Sequence, residues 1–258
     1  AVASAAGMAY QGAHPVVALY ATFLNRGFDQ LLMDVALHRA GVTFVLDRAG
    51  VTGADGASHN GVWDIAMCSM IPGLRLAAPR DEQALRARLR EALDVDDAPT
   101  VIRYRKGSLP EPMPALRSVG GVDILFDEAV ADSRARVLIV GTGACAPDAI
   151  EAARRLSADG VSVTVADPQW MIPICPDLAT LARDYDCVVS VEDGIVQGGF
   201  GWSLRDAVAE TGVPVRCLGV PQGFPEHGDR AAMIAQFGFD ADGIERAARE
   251  LVERIGER

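Results

Sequence analysis

The feature that most constrains this chain is an alternation that runs almost its whole length. Short apolar runs of strand length are followed by stretches with apolar residues at helical spacing. In the first part the runs VVALY, VTFVL, LRLAA and PTVIRY alternate with AVASAAGMAY, LLMDVALHRA and DEQALRARLREAL, the last with Asp81 in the N-cap position. In the second part VLIVG, VSVTVADP, CVVSVEDG and VPVRCLGV alternate with APDAIEAARRLSADG, LATLARDYD, WSLRDAVAETG and a terminal helix from about Asp242. Strands read as continuous apolar runs, separated by helices, predict parallel sheets covered on both faces. The fold class expected is α/β, with two doubly wound, mostly parallel sheet domains. GSLPEPMPALRSVGG, with its prolines and no periodicity, is the best linker, which sets domains at 1–107 and 122–258 with a linker at 108–121.

In open parallel sheets, ligands sit beyond the carboxyl ends of the strands. Three such ends carry unusual chemistry here. After VTFVL comes DRAGVTGADGASHNG, residues 47–61, with four glycines, two aspartates, an arginine and one of the four histidines of the chain. Glycines allow close backbone approach, Arg48 can fork an anion, and His59 can carry a proton near neutral pH. YATFLNR, residues 20–26, supplies Tyr20, Phe23 and Arg26 as a flat platform beside a cation, and RYRKG adds Arg105 and Lys106. Three cationic strand ends in a chain of net charge −11 predict an anionic small-molecule substrate. The same charge argues against general nucleic-acid binding.

A competing loop is GTGACA, residues 141–146, which follows a strand and fits the dinucleotide fingerprint with Ala146 in third place. Asp167 ends the next strand, where a ribose-binding carboxylate belongs. Pro147 follows directly and the unit lies in the second domain, so a tight strand-to-helix turn is the preferred reading. Gly198, Gly199 and Gly201 are read as packing glycines near an interface.

No apolar run approaches the roughly 20 residues needed to span a bilayer, and no secretory signal is visible. The five cysteines lack any CxxC pair, which fits reduced thiols in a cytoplasm.

These residues carry a resemblance. HPVVALYATFLNRGFDQLLMDVAL, VLDRAGVTGADGASHNGVWDIAM, IPGLRLAAPRDE and APTVIRYRKG resemble the pyrimidine-binding domain of the 1-deoxy-D-xylulose-5-phosphate synthases, within the thiamine-diphosphate-dependent transketolase family. GTGACA, VADPQWMIPI, VEDGIVQGGFG and GVPQGFPEHG are similar to the C-terminal domain of that family. The resemblance implies condensation of pyruvate with D-glyceraldehyde 3-phosphate, with loss of CO2, feeding isoprenoid, thiamine and pyridoxal synthesis. It implies that Phe23 stacks on the aminopyrimidine of thiamine diphosphate, with Tyr20 also at the cofactor. Tyr20, Arg26, Arg48 and Asp55 would line the substrate pocket, His59 would transfer a proton, and Arg48 and Lys106 would grip the aldehyde's phosphate. Catalysis would thus fall on His59, Asp55 and Arg48.

Many members of that family have arginine in place of Lys106 and proline in place of Arg105. The family's activating glutamate, in an E-x-H stretch, would fall just before Ala1. Its GDG…N loop for Mg2+ and diphosphate has no counterpart in these 258 residues. The expectation is half of a cofactor site, inactive alone and completed by an N-terminal half in cis or trans, in a homodimer. The alternatives are a split transketolase-like or 2-oxo-acid dehydrogenase-type subunit, or a non-catalytic dimerisation remnant.

Overall fold

The computed structural model describes residues 1–108 and 110–257. Leu109, inside the expected linker, and Arg258, the last residue of the second expected domain, lie outside them. The first sheet contains β1 (Val16–Tyr20), β2 (Thr43–Asp47), β3 (Arg75–Ala77) and β4 (Thr100–Arg103), in the order β1-β2-β4-β3. Every neighbouring pair is parallel. Its helices are α1 (Val2–Ala9), α2 (Phe28–Gln30, which widens into a π turn over Leu31–Ala36), α3 (Asp64–Ser69) and α4 (Glu82–Leu93). Asp81 caps α4 as the sequence predicts, its carboxylate accepting from the Ala84 N–H at 2.8 Å.

The second sheet contains β5 (Arg117–Val119), β6 (Val122–Glu128), β7 (Arg136–Gly141), β8 (Ser162–Pro168), β9 (Cys187–Ile195) and β10 (Val215–Val220), in the order β10-β9-β7-β8-β6-β5. Helices α5 (Ala146–Ala158), α6 (Pro176–Ala182), α7 (Phe200–Ala207), α8 (Arg230–Phe237) and α9 (Ala241–Gly256) accompany it. Four strands are parallel, and β6 and β5 extend the sheet antiparallel from β8. The sheet is therefore mixed. Only two residues separate β5 from β6, too few for a parallel crossover, so a hairpin is the geometry available.

The two units share a core. Phe44 and Leu76 of the first sheet belong to the same buried cluster as Leu138, Val188 and Phe200 of the second unit. Among the described residues no helix is long and apolar enough to cross a membrane.

Candidate active site

The order β1-β2-β4 brings three strand ends side by side. Tyr20 pairs with Asp47 in register, and Leu46 with Arg103. Beyond Tyr20 the chain enters a tight 3-10 turn, Ala21–Gly27, instead of continuing as strand. The turn folds Phe23 back onto Tyr20, the rings stacked at 5.8 Å and 17°. Phe23 remains 42% exposed, so one face of this aromatic pair is open.

At the end of β2, Arg48 takes a left-handed backbone with φ 59°. For a residue with a Cβ this costs about 1–2 kcal/mol. It places the guanidinium 4.1 Å from the centre of the Tyr20 ring. The loop then closes on itself, Gly50 and Gly61 exchanging N–H···O bonds of 2.8 and 2.9 Å. Inside it the fully buried Asn60 accepts from the Thr52 N–H at 2.9 Å and donates to the Pro225 carbonyl at 3.2 Å. His59 meets the Phe23 ring edge-on at 6.0 Å, and Ser58 Oγ lies 3.0 Å from its Nδ1.

Beyond β4, Lys106 Nζ reaches both carboxylate oxygens of Asp55, while Arg48 lies 3.5 Å from the same carboxylate and 3.8 Å from Asp47. The hydrogen bond from Lys106, with the charges of Arg48 and His59 nearby, holds the Asp55 carboxyl below the usual carboxylate range. Tyr20, Phe23, Arg48, Asp55, His59 and Lys106 thus form one contiguous cluster. Arg26 sits exposed near the end of the 3-10 turn and makes no hydrogen bond or ion pair with it among the described residues. Arg105 turns to different surroundings. It lines a cavity of about 240 Å³ with Ala49, Tyr104, Ala144 and Asp193, and its Nε is buried without a hydrogen-bond partner among the described residues.

The second glycine loop is a packing device. Gly143 has φ 51°, and a Cβ there would come within 2.7 Å of the Ala78 carbonyl of the first unit. Asp167 binds Arg80 at 3.0 Å, and Arg80 also binds Asp123 at 2.8 Å. Gly199 and Gly201 press against the Glu192 and Ser190 side chains, as packing glycines do.

Two residues that sequence reasoning did not single out hold the loop from the second unit. Asp193, at the end of the apolar run of β9, accepts from the Val51 N–H at 2.9 Å, and Arg230 donates to the Val51 carbonyl at 3.0 Å. In the sequence Asp193 is marked by the acidic pair of VEDG, inside a stretch similar to the family's C-terminal domain.

Comparison with known proteins identifies both domains of the chain. Residues 1–112 match the family model described as transketolase, pyrimidine binding domain, and residues 128–244 match transketolase, C-terminal domain. A 1-deoxy-D-xylulose-5-phosphate synthase of Corynebacterium glutamicum (strain R) is 52% identical over 249 residues, covering 95% of this chain and 39% of that protein. 1-Deoxy-D-xylulose-5-phosphate synthase 2 of Streptomyces coelicolor is 51% identical over 257 residues, covering 99% of this chain and 40% of that protein. The chain therefore spans about two fifths of the length of these curated relatives. A solved structure described as a split gene transketolase, inactive beta4 tetramer, superposes with a TM-score of 0.84 at 26% identity, covering 97% of this chain and 80% of the other. These matches show that the chain belongs to the transketolase family and carries its pyrimidine-binding and C-terminal domains.

Proposed function

We propose that this chain is the pyrimidine-binding and C-terminal part of a 1-deoxy-D-xylulose-5-phosphate synthase, condensing pyruvate with D-glyceraldehyde 3-phosphate. We place its domains at 1–107 and 122–258, joined by 108–121, of which Arg117–Val119 adds to the second sheet as β5. The observation that carries the reading is the cluster itself. One open aromatic face, one proton carrier and two cations that share a carboxylate converge where parallel sheets bind ligands.

The aromatic pair suits a flat heteroaromatic ring. Phe23 offers its exposed face to the aminopyrimidine of thiamine diphosphate, with Tyr20 stacked against Phe23 and held by Arg48. When bound, the cofactor would supply the carbon–carbon bond chemistry of the decarboxylating condensation. Among the described residues no cluster of three or more His, Cys, Asp and Glu is placed to hold a metal. We assign the Mg2+ and diphosphate contacts to an N-terminal half, as the resemblance implies.

The substrate's phosphate would compete with Asp55 for Lys106 and Arg48. A dianion offers more charge than one carboxylate, so the cations turn to it and free Asp55 to face the substrate's hydroxyl groups. Ser58 holds His59 Nδ1, leaving Nε2 to give or take the proton. Arg26 stands further out, as a rim cation for the carboxylate or phosphate. The working assembly is taken to be a cytoplasmic homodimer.

The test joins this chain to the N-terminal half of a related synthase. Binding of thiamine diphosphate and formation of deoxyxylulose phosphate support the reading, with the chain alone inactive. A joined enzyme that binds cofactor but prefers other donors or acceptors would replace it with another transketolase-type reaction. The likeness to the split gene transketolase favours a second reading, a separately made subunit. Activity recovered on mixing the halves without fusing them would support it.

A further inference from the structure

We propose that Asp193 and Arg230 are positioning residues through which the C-terminal domain holds the substrate loop in its working shape. The inference rests on the functional reading above only where it concerns turnover. The clamp itself is read from geometry.

The loop carries Arg48, Asp55 and His59, and its glycines give it little stiffness of its own. Both polar backbone groups of Val51 are taken by the other unit. Its N–H donates to Asp193 Oδ1 at 2.9 Å, and its carbonyl accepts from Arg230 Nε at 3.0 Å. The two side chains are themselves joined, Arg230 Nη2 to Asp193 Oδ2 at 2.6 Å. Carboxylate, guanidinium and peptide therefore form a closed ring of hydrogen bonds, each with a charged donor or acceptor and so stronger than a neutral bond. Two further contacts extend the hold. The Gly228 N–H donates to the Gly53 carbonyl at 3.3 Å, and Asn60 donates to the Pro225 carbonyl.

Asp193 is itself fixed. It is 2% exposed, and its own carbonyl accepts from Arg103 Nη2 at 2.8 Å. Arg103 ends β4, three residues before Lys106, so one aspartate ties together the two strand ends whose cations meet at Asp55. Gly50 shows how close the approach is. With φ 79°, it lies so near that a Cβ would overlap the Asp193 carboxylate.

The experiment has two arms. Amide hydrogen exchange on chain 1–258 compares wild type with Arg230→Met and Arg230→Lys. Arg230 is one quarter exposed and Asp193 keeps the Val51 N–H, and thermal unfolding checks that the variants fold. The expected result is exchange on the order of tenfold faster at Val51 to Asn60 in the methionine variant. Lysine, which keeps the charge for Asp193, should recover part of the protection, and β7 and β8 should be unaffected. Unchanged exchange in the loop, or faster exchange throughout the chain, would overturn the clamp. The second arm measures the variants joined to an N-terminal half. Turnover falling roughly ten- to hundredfold, with thiamine-diphosphate affinity unchanged, supports positioning, since small displacements of reacting groups carry penalties of that size. Unchanged turnover with a loosened loop overturns it. If the joined wild type makes no deoxyxylulose phosphate, the functional reading fails while the exchange arm still judges the clamp.

Discussion

Lys106 Nζ lies 2.7 and 2.8 Å from the two carboxylate oxygens of Asp55, across 51 residues of sequence. That contact is the main reason the Asp55 carboxyl titrates below its usual range. Lys106→Met should raise the Asp55 pKa toward an ordinary carboxylate, read by NMR of the labelled carboxyl carbon. No movement would show that the pair does not persist in solution. On the proposed reading, and in the chain joined to an N-terminal half, the same variant should raise KM for glyceraldehyde 3-phosphate about tenfold or more, the scale of one lost charged contact, and change KM for pyruvate less.

Arg80 is the buried hub between the two units, bonded to Asp123 and Asp167 and also to the Met113 carbonyl. Arg80→Met should destabilise the chain by about 3–5 kcal/mol in urea unfolding, because it leaves two buried acids without their cation. Burial already pushes the Asp167 carboxyl up to about 7, with Arg80 opposing that rise. Replacing all three charged groups (Arg80→Met, Asp123→Asn, Asp167→Asn) should recover part of the loss. A triple variant no more stable than the single one would show that packing, and not stranded charge, sets the cost.

How much of this was legible follows from the range of each interaction. Helix α4 and its Asp81 cap are local, and the sequence carries them in full. The strand ends of β1, β2 and β4 were visible as apolar runs that stop at polar residues, and the resemblance supplied roles for what lies there. The β5–β6 hairpin was not visible, because three exposed residues after a proline-rich stretch leave no periodic pattern. Asp167 ends a strand as a ribose-binding acid would, and only the fold shows that Arg80, 87 residues away, takes its charge. Asp193 meets Val51 across 142 residues, a contact that no local pattern encodes.

The glycine turn before α5 gives a third expectation. Gly143 has positive φ and no room for a Cβ before the Ala78 carbonyl. Gly143→Ala should therefore cost about 2 kcal/mol or more, combining left-handed strain with a steric shift at the interface between the units. NADH should show no saturable binding to the wild type, since Ala78 of the first unit packs against this turn. A neutral substitution would show that the turn has room for a Cβ, and NADH binding that Gly143→Ala abolishes would restore the dinucleotide reading.

The last expectation concerns pH. Glu192 is buried on β9, and its carboxylate oxygens accept the N–H groups of Phe200 and Gly201 at 2.8 and 2.9 Å. Burial nevertheless dominates and raises its carboxyl from 4.5 to about 7. The folded chain then keeps a proton that the unfolded chain has lost between those two values. By linkage, its contribution to stability is fully present below about 4.5 and declines as pH rises to about 7. The full decline is worth up to about 3 kcal/mol. Glutamine cannot titrate, so Glu192→Gln should remove this slope. The stability of wild type minus that of Glu192→Gln, from urea unfolding of chain 1–258, should fall steadily across that window and level off above it. Asp167, pushed up in the same way, should leave a residual slope in both proteins. Parallel stability curves would mean that the two N–H donors of α7 hold Glu192 ionised at every pH tested, with hydrogen bonding outweighing burial.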